Sequence, residues 1–151
     1  MEALVDSIMR KKPEAVDPDL TVTAAAAIIA KRSEECLIAA KDELVVGIVT
    51  STDIIEKVMA VGADPAKVYV RDIMSTPVIT VNVTATIKQA AEKMSDYGVR
   101  KLPVVDEAGA LAGVVTSLEL ARWLARVNDF QDPALNALAR LKGEGQGGPY
   151  R

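Results

Sequence analysis

Two segments of the chain carry a hydroxyl and a carboxylate at a spacing that could recognise a polar ligand. Thr50 is followed three residues later by Asp53, and Thr116 is followed three residues later by Glu119. In one interpretation each pair forms a capping box, in which the two side chains satisfy N–H groups of a first helical turn. In the other, the carboxylate accepts the two hydroxyls of a ribose, and the helix N-terminus favours a phosphate nearby. The spacing alone leaves both interpretations open.

The composition excludes most catalytic and metal chemistry. The 151 residues include no histidine, which excludes His-dependent nucleophilic triads and His-ligated zinc sites. A single cysteine, Cys36, excludes an intramolecular disulfide and any metal or redox site built from a cysteine pair. Lys and Arg number 18 against 21 Asp and Glu, and the net charge of −3 is the wrong sign for a general nucleic-acid binder. We therefore expect no catalytic residues, no metal, no resident cofactor and no nucleic-acid partner.

The chain also lacks the patterns of export and of membrane insertion. Residues 22–30 form its most apolar run, which is far shorter than the roughly 20 residues that span a bilayer. Residues 1–6 carry neither the basic flank nor the apolar stretch of a signal peptide. We therefore expect a cytoplasmic protein with no membrane contact.

An internal repeat organises the sequence. Residues 5–9 return as residues 70–74, and the run Gly-Ile-Val-Thr-Ser at 47–51 returns as Gly-Val-Val-Thr-Ser at 113–117. Several such anchors recur in one order, which indicates two copies of one structural unit. The predicted domains are repeat 1 over residues 1–61, a linker over 62–69, repeat 2 over 70–127, and a C-terminal helix with a flexible tail over 128–151.

Each copy contains the same order of predicted elements. An opening strand is followed by a helix, a two-stranded hairpin and a second helix, which is an α+β pattern of β-α-β-β-α. Neither copy has much core alone, so we expect the two to pack together. The predicted spans are helices 22–31 and 53–60 with strands 37–40 and 45–49 in the first copy, and an opening strand 78–81, a helix from 87 that Gly98 ends, strands 102–105 and 111–115, and a helix 120–127 in the second.

These motifs together resemble a tandem pair of CBS (cystathionine β-synthase) domains. The resemblance covers residues 5–127 and rests on the repeated Asp-Ile-Met or Ser-Ile-Met, the Leu-Pro-Val-Val-Asp of the second copy, and the repeated Gly-x-Val-Thr-Ser-x-acid. It implies β-α-β-β-α repeats related by pseudo-twofold symmetry, with a cleft between them that binds AMP, ADP, ATP or S-adenosylmethionine. It further implies a non-enzymatic regulatory module that signals to an unidentified protein partner. The alternative is a structural dimerisation module whose degenerate cleft binds nothing.

The resemblance also implies the residues of two half-sites, in which the Thr and acid hold the ribose and an opening strand contacts the adenine. Glu119 replaces the usual Asp and is one methylene longer, so we predict that it folds back on its helix while Asp53 points outward and carries the ribose. We expect phosphates to lie near basic residues or near the helix N-terminus at Ser51. The implied half-sites are Thr50, Ser51 and Asp53 with Val78, Ile79 and Thr80, and Thr116 and Glu119 with Ala15, Val16, Arg100 and Lys101.

A homodimer is the last expectation. Apolar residues at helical spacing, Ile54 with Val58 and Leu120 with Leu124, predict exposed stripes that one chain cannot cover. CBS pairs resembling this one associate through these helices with twofold symmetry.

Overall fold

The structure is a computed structural model that describes residues 3–11 and 13–127. Within this part the chain divides into two compact units. Unit 1 contains residues 3–11, 13 and 79–127, and unit 2 contains residues 14–78. The predicted helix and tail over 128–151 lie outside the described residues.

The helices and strands follow the predicted order. A 3-10 turn covers Val5–Ser7. The helix predicted over 53–60 begins as a short α-helix, Ser51–Ile54, and continues as a π-helical turn, Ile55–Met59. The elements in chain order are β1 (Arg10–Lys11), α1 (Val22–Arg32), β2 (Cys36–Lys41), β3 (Leu44–Thr50), α2 (Ser51–Ile54), α3 (Val70–Ile73), β4 (Val81–Asn82), α4 (Ile87–Tyr97), β5 (Lys101–Val105), β6 (Leu111–Thr116) and α5 (Ser117–Val127).

Local sequence explains where the two long first helices begin and end. The Thr21 hydroxyl accepts a hydrogen bond from Ala24 N at the start of α1, and the Thr86 hydroxyl accepts one from Gln89 N at the start of α4. Ser33 and Gly98 end the two helices in the left-handed conformation, with φ of 54° and 65°. The caps therefore fix each helix against the hairpin that follows it.

The two units repeat one sheet arrangement. In unit 1 the described strands lie in the order β1-β6-β5-β4, with β4 parallel to β5 and the other pairs antiparallel. In unit 2 the pair β2–β3 is antiparallel, Val16 forms a parallel bridge to Ala39, and Ser75 forms an antiparallel bridge to Ile48. The opening strand of the first copy is thus reduced to a single bridge.

The segment before each opening strand belongs to the unit built by the other repeat. Strand β1, from the start of the chain, pairs with β6, and Ser75 pairs with β3. A methionine of each segment lies on a glycine of the strand it joins. A Cβ on Gly113 would come within 2.9 Å of Met9 Cγ, and one on Gly47 within 2.7 Å of Met74 Cγ. We call residues 3–11 and 70–78 the exchanged segments.

Aliphatic side chains fill each unit, and their burial corrects the predicted dimer stripes. Val58, Leu120 and Leu124 are buried, and Ile54 is half-buried, so the stripes named from the sequence are wrong. The helical spacing placed apolar residues on the inward face of α2 and α5. The large apolar side chains that α5 and the π-helical continuation of α2 expose are Ile55 (60%), Met59 (60%), Leu118 (56%) and Val127 (45%).

Candidate functional site

The strand-to-helix turn of unit 2 forms a complete capping box. Asp53 Oδ2 accepts hydrogen bonds from Thr50 N at 2.9 Å and from Thr50 Oγ1 at 3.1 Å. Thr50 Oγ1 in turn accepts from Asp53 N at 3.1 Å. The structure therefore contains the capping box of the first interpretation.

A lysine forms an ion pair with the second oxygen of the Asp53 carboxylate. Lys57 Nζ lies 2.9 Å from Asp53 Oδ1, one helical turn along, and donates to the carbonyl oxygen of Ile73 at 2.9 Å. The ammonium therefore joins the start of α2 to the end of α3. With both oxygens engaged, the Asp53 side chain is only 1% exposed.

The corresponding turn of unit 1 is looser and more open. Glu119 Oε2 accepts from Thr116 N at 2.7 Å and from Thr116 Oγ1, while Glu119 N lies 3.5 Å from Thr116 Oγ1. Glu119 Oε1 meets Arg10 Nε of the exchanged segment at 3.4 Å. The Glu119 side chain remains 18% exposed.

The two carboxylates therefore reverse one sequence expectation. Glu119 folds back on its helix, as expected, but Asp53 does so too and is the more buried of the two. The prediction that Asp53 points outward is wrong. A short side chain reaches Thr50 N and Lys57 from inside the turn, whereas the extra methylene of Glu119 carries its carboxylate towards the surface.

The backbone at both helix starts is already partly engaged. Ser51 N donates to the carbonyl oxygen of Glu35 at 2.9 Å, and Ser117 N donates to that of Arg100 at 2.9 Å. The N–H group of Ser51 is thus occupied, which weakens the case for a phosphate held by that group. Around the second start, Arg100 is exposed and Lys101 is half-buried.

The opening segments differ in what holds them. Val16 N donates to Ile38 O at 2.9 Å and Val16 O accepts from Ala40 N at 3.0 Å, while neighbouring Ala15 is exposed. In unit 1, Lys93 Nζ donates to the carbonyl oxygen of Thr80 at 2.6 Å. A cavity of about 380 Å³ lies beside this lysine, lined by β4 and α4.

The units bring together some of the predicted site residues. Thr50, Ser51, Asp53, Val78, Ala15 and Val16 belong to unit 2, and Ile79, Thr80, Arg100, Lys101, Thr116 and Glu119 belong to unit 1. Each Thr–acid pair is joined by hydrogen bonds within its own unit. The predicted pairing of the unit 2 turn with Ile79 and Thr80, and of the unit 1 turn with Ala15 and Val16, stays a prediction.

Sequence reasoning missed three side chains that hold this site. Lys57 has a signal, since Asp and Lys four residues apart on a helix form ion pairs. Lys93 and Arg10 have no such signal, because each acts on an element that is not its sequence neighbour.

Two further features are absent from the described part of the chain. No three potential metal ligands converge there, and none of its helices combines the length and the apolar composition of a membrane span.

Comparison with known proteins gives one family. A sequence profile described as the CBS domain matches residues 5–60 and 70–126. The chain is 45% identical over 80 residues to the uncharacterized protein MK0525 of Methanopyrus kandleri; the match covers 53% of this chain and 40% of that one. The chain thus accounts for less than half the length of this relative.

Two solved structures share the fold. The CBS domain pair of protein MJ0100, in complex with 5′-methylthioadenosine and S-adenosyl-L-methionine, is 30% identical with a TM-score of 0.72, covering 84% of this chain and 99% of that one. CBSX2 of Arabidopsis thaliana in complex with AMP is 22% identical with a TM-score of 0.73, and the same shares are covered. At that identity CBSX2 bears on the fold alone.

Proposed function

The chain belongs to the CBS domain family, and on that premise we propose that it is a non-enzymatic regulatory module that binds an adenosine-containing ligand. The observation that carries the proposal is the pair of strand-to-helix turns, each with a hydroxyl and a carboxylate on a helix start. The likeness to the MJ0100 pair, whose ligands both contain adenosine, supports this class of ligand.

Glu119 is the first candidate for the ribose. A diol donates two hydrogen bonds, and charge-assisted bonds of this kind are roughly twice as strong as neutral ones. Both carboxylates are ion-paired, but the Glu119 side chain is 18% exposed with its cation at 3.4 Å, whereas that of Asp53 is 1% exposed with its cation at 2.9 Å. Binding at Thr50, Ser51 and Asp53 would require the Asp53–Lys57 pair to open, so we propose this turn as the weaker half-site.

The remaining contacts of the proposal follow the resemblance. Thr80 with Val78 and Ile79 would meet adenine through the backbone at one half-site, and Ala15 with Val16 at the other. Arg100 and Lys101, at the start of β5, supply the positive charge that a phosphate needs. AMP, ADP, ATP and S-adenosylmethionine remain the ligands to compare.

The regulatory part of the proposal concerns partners. Ligand binding would change the arrangement of the repeats, and an unidentified protein partner would respond to that change. We also propose a homodimer, now through the exposed side chains of Ile55, Met59 and Leu118. Light scattering on the full chain should give twice the mass of one chain, and Ile55→Glu with Met59→Glu should give the mass of one. A single-chain mass for the unaltered protein at micromolar concentration would contradict the dimer.

A thermal-shift screen tests the ligand class. AMP, ADP, ATP, S-adenosylmethionine and NAD are each added to the full chain. A ligand present at 100 times its Kd adds about 2.7 kcal/mol to the free energy of unfolding. We expect at least one adenosine compound to raise the melting temperature, and Glu119→Gln to reduce that shift more than Asp53→Asn does.

The second candidate function is a dimerisation module that binds no nucleotide. It is favoured by the closed state of Asp53, whose oxygens are occupied by its own helix start and by Lys57. The absence of a shift with every adenosine compound, together with a dimer mass, would support this candidate and overturn the ligand proposal.

A further inference from the structure

The exchanged segment 3–11 is fixed to unit 1 by its two ends. Val5 is fully buried, and its N–H donates to the carbonyl oxygen of Ala85 at 2.9 Å. At the other end, Arg10 and Lys11 pair with Val114 and Gly113 on the edge of the sheet. Strand β1 has only these two residues, and the Arg10 side chain adds a contact with Glu119 to its strand pairing.

The same place in unit 2 is built differently. The residue that corresponds to Arg10 is Ser75, which carries no charge, and the cation on Asp53 comes from Lys57 within α2. Where unit 2 has Lys57, unit 1 has Trp123 at the corresponding position of α5. Unit 1 is therefore the unit in which an exchanged segment supplies the counter-ion of the turn carboxylate.

We propose that the Arg10–Glu119 ion pair couples the unit 1 turn to the exchanged segment, so that a ligand diol on Glu119 loosens β1. This coupling rests on the proposed function, because the diol is that of the adenosine-containing ligand. Arg10 is then a positioning residue: it holds Glu119 in the free protein and leaves it when the ligand binds.

The oxygen atoms of Glu119 explain why the two events compete. Oε2 already accepts from Thr116 N and from Thr116 Oγ1, so it has no lone pair left for a ligand. A diol must therefore engage Oε1, which is the oxygen that Arg10 faces. Because coupling between two binding events is reciprocal, removing Arg10 should strengthen diol binding by the same factor by which the diol weakens the docking of β1.

Hydrogen exchange measured by mass spectrometry on the full chain reads the docking of β1 directly. In the free protein, Arg10→Met and Glu119→Gln should each speed exchange in peptides of residues 3–11, by about fivefold at most, since partly exposed ion pairs are weak. Arg10→Lys keeps the charge and should restore most of the protection. Arg71→Met is the matched control, because it makes the same substitution in the exchanged segment of unit 2 and should leave residues 3–11 unchanged.

Adenosine and 2′,3′-dideoxyadenosine test the coupling, since they differ only in the diol. Saturating adenosine should speed exchange in residues 3–11, and dideoxyadenosine should not. In calorimetry Arg10→Met should bind adenosine about two- to fivefold more tightly, an outcome that a merely structural role for Arg10 would not produce. Adenosine binding with no change in exchange would overturn the coupling alone, whereas no binding of adenosine or of any adenosine compound in the thermal-shift screen would overturn the coupling and the proposed function together.

Discussion

The turns at Thr50–Asp53 and Thr116–Glu119 begin from nearly the same sequence and reach different states. Both acids accept hydrogen bonds from the threonine three residues earlier. Asp53 is then closed by Lys57 of its own helix, whereas Glu119 is met by Arg10 from the far end of the chain. One capping box is thus a closed local structure, and the other stays open and depends on a distant segment.

Two features separate the turns: the extra methylene of Glu119, and the element that supplies the cation paired with each carboxylate. Together they determine whether the carboxylate is buried or accessible. A buried aspartate with both oxygens engaged contributes to stability, and a ligand must displace its partners before it can use the carboxylate. A partly exposed glutamate contributes less to stability and can exchange one partner for another. We therefore expect substitutions of the two carboxylates to divide along this line, with the larger stability effect at Asp53 and the larger binding effect at Glu119.

The contact of each exchanged segment with its glycine should give the largest effect. A Cβ on Gly113 would lie 2.9 Å from the carbonyl oxygen of Arg10 as well as from Met9 Cγ, whereas the atoms nearest a Cβ on Gly47 all belong to the Met74 side chain. A methionine side chain can rotate away, but the backbone of β1 has to move. Gly113→Ala should lower the free energy of unfolding by about 1–3 kcal/mol, and Gly47→Ala by less, in urea titrations. Equal losses would mean that both segments yield alike.

The two carboxylates should then separate in stability. Asp53→Ala removes the carboxylate half of the capping box and the ion pair with Lys57, and leaves Thr50 N without its acceptor, so we expect a loss of about 1–2 kcal/mol in the free energy of unfolding. Glu119→Ala removes a carboxylate that is 18% exposed and whose ion pair with Arg10 is longer, at 3.4 Å, and should cost less. Urea titration of both variants measures this, with Asp53→Asn as the control that loses the negative charge but keeps an acceptor oxygen. A larger loss for Glu119→Ala would contradict the comparison.

The opening segments extend the comparison to the base of the ligand. Lys93 holds the Thr80 carbonyl in unit 1, and the corresponding residue in unit 2 is Ile28, which cannot. Because Thr80 belongs to the proposed Asp53 half-site, Lys93→Met should leave the segment less ordered and weaken adenosine binding at that half-site by about fivefold, the loss of roughly one hydrogen bond. Calorimetry measures it, and Lys88→Met, an exposed lysine of the same helix, is the control. Equal adenosine affinities in Lys93→Met and Lys88→Met would show that Lys93 does not contribute to ligand binding.

Much of the fold could be predicted because its signals are local. The repeat, the short apolar runs of the hairpin strands and the helix-ending Gly98 can each be recognised from residues that are neighbours in sequence. The exchange of residues 3–11 and 70–78 could not be predicted, since both candidate sheets offer the same edge to nearly the same segment. Because the two repeats are similar in sequence, the sequence does not show which copy each of these segments joins.

The sequence predicted which residue types form the site, but not whether each side chain is buried or which partners it has. The spacing of Thr50 and Asp53 correctly gave a capping box as one interpretation, but it carried no information on burial. Burial depends on Lys57 and on the short aspartate side chain acting together, and the openness of Glu119 depends on Arg10, which lies more than a hundred residues away in sequence. Pairwise contacts between distant segments are what a single sequence does not supply.

The smallest expected effect concerns the exposed ions beside the exchanged segment 70–78. Asp19 pairs with Arg71 of this segment and with Lys41. The hydrogen bonds from Lys41 and then from Arg71 lower the pKa of Asp19 below its usual 3.8, and Asp19 raises the pKa of Lys41 above 10.5. The contribution of Asp19 to stability is therefore present above pH 3.8 and is lost as pH falls through the lower pKa of the folded state. The contribution of Lys41 to stability is lost only as pH rises past 10.5.

Asp19→Asn should slightly flatten the acid side of a profile of melting temperature against pH. Salt at about 1 M should do the same, because all three ions are exposed. In the Lys41→Met, Arg71→Met background the substitution should change nothing. An unchanged acid limb in Asp19→Asn itself would show that these ions do not hold the segment, and would leave the Ser75–Ile48 bridge, the Lys57–Ile73 bond and Met74 on Gly47 as its anchors.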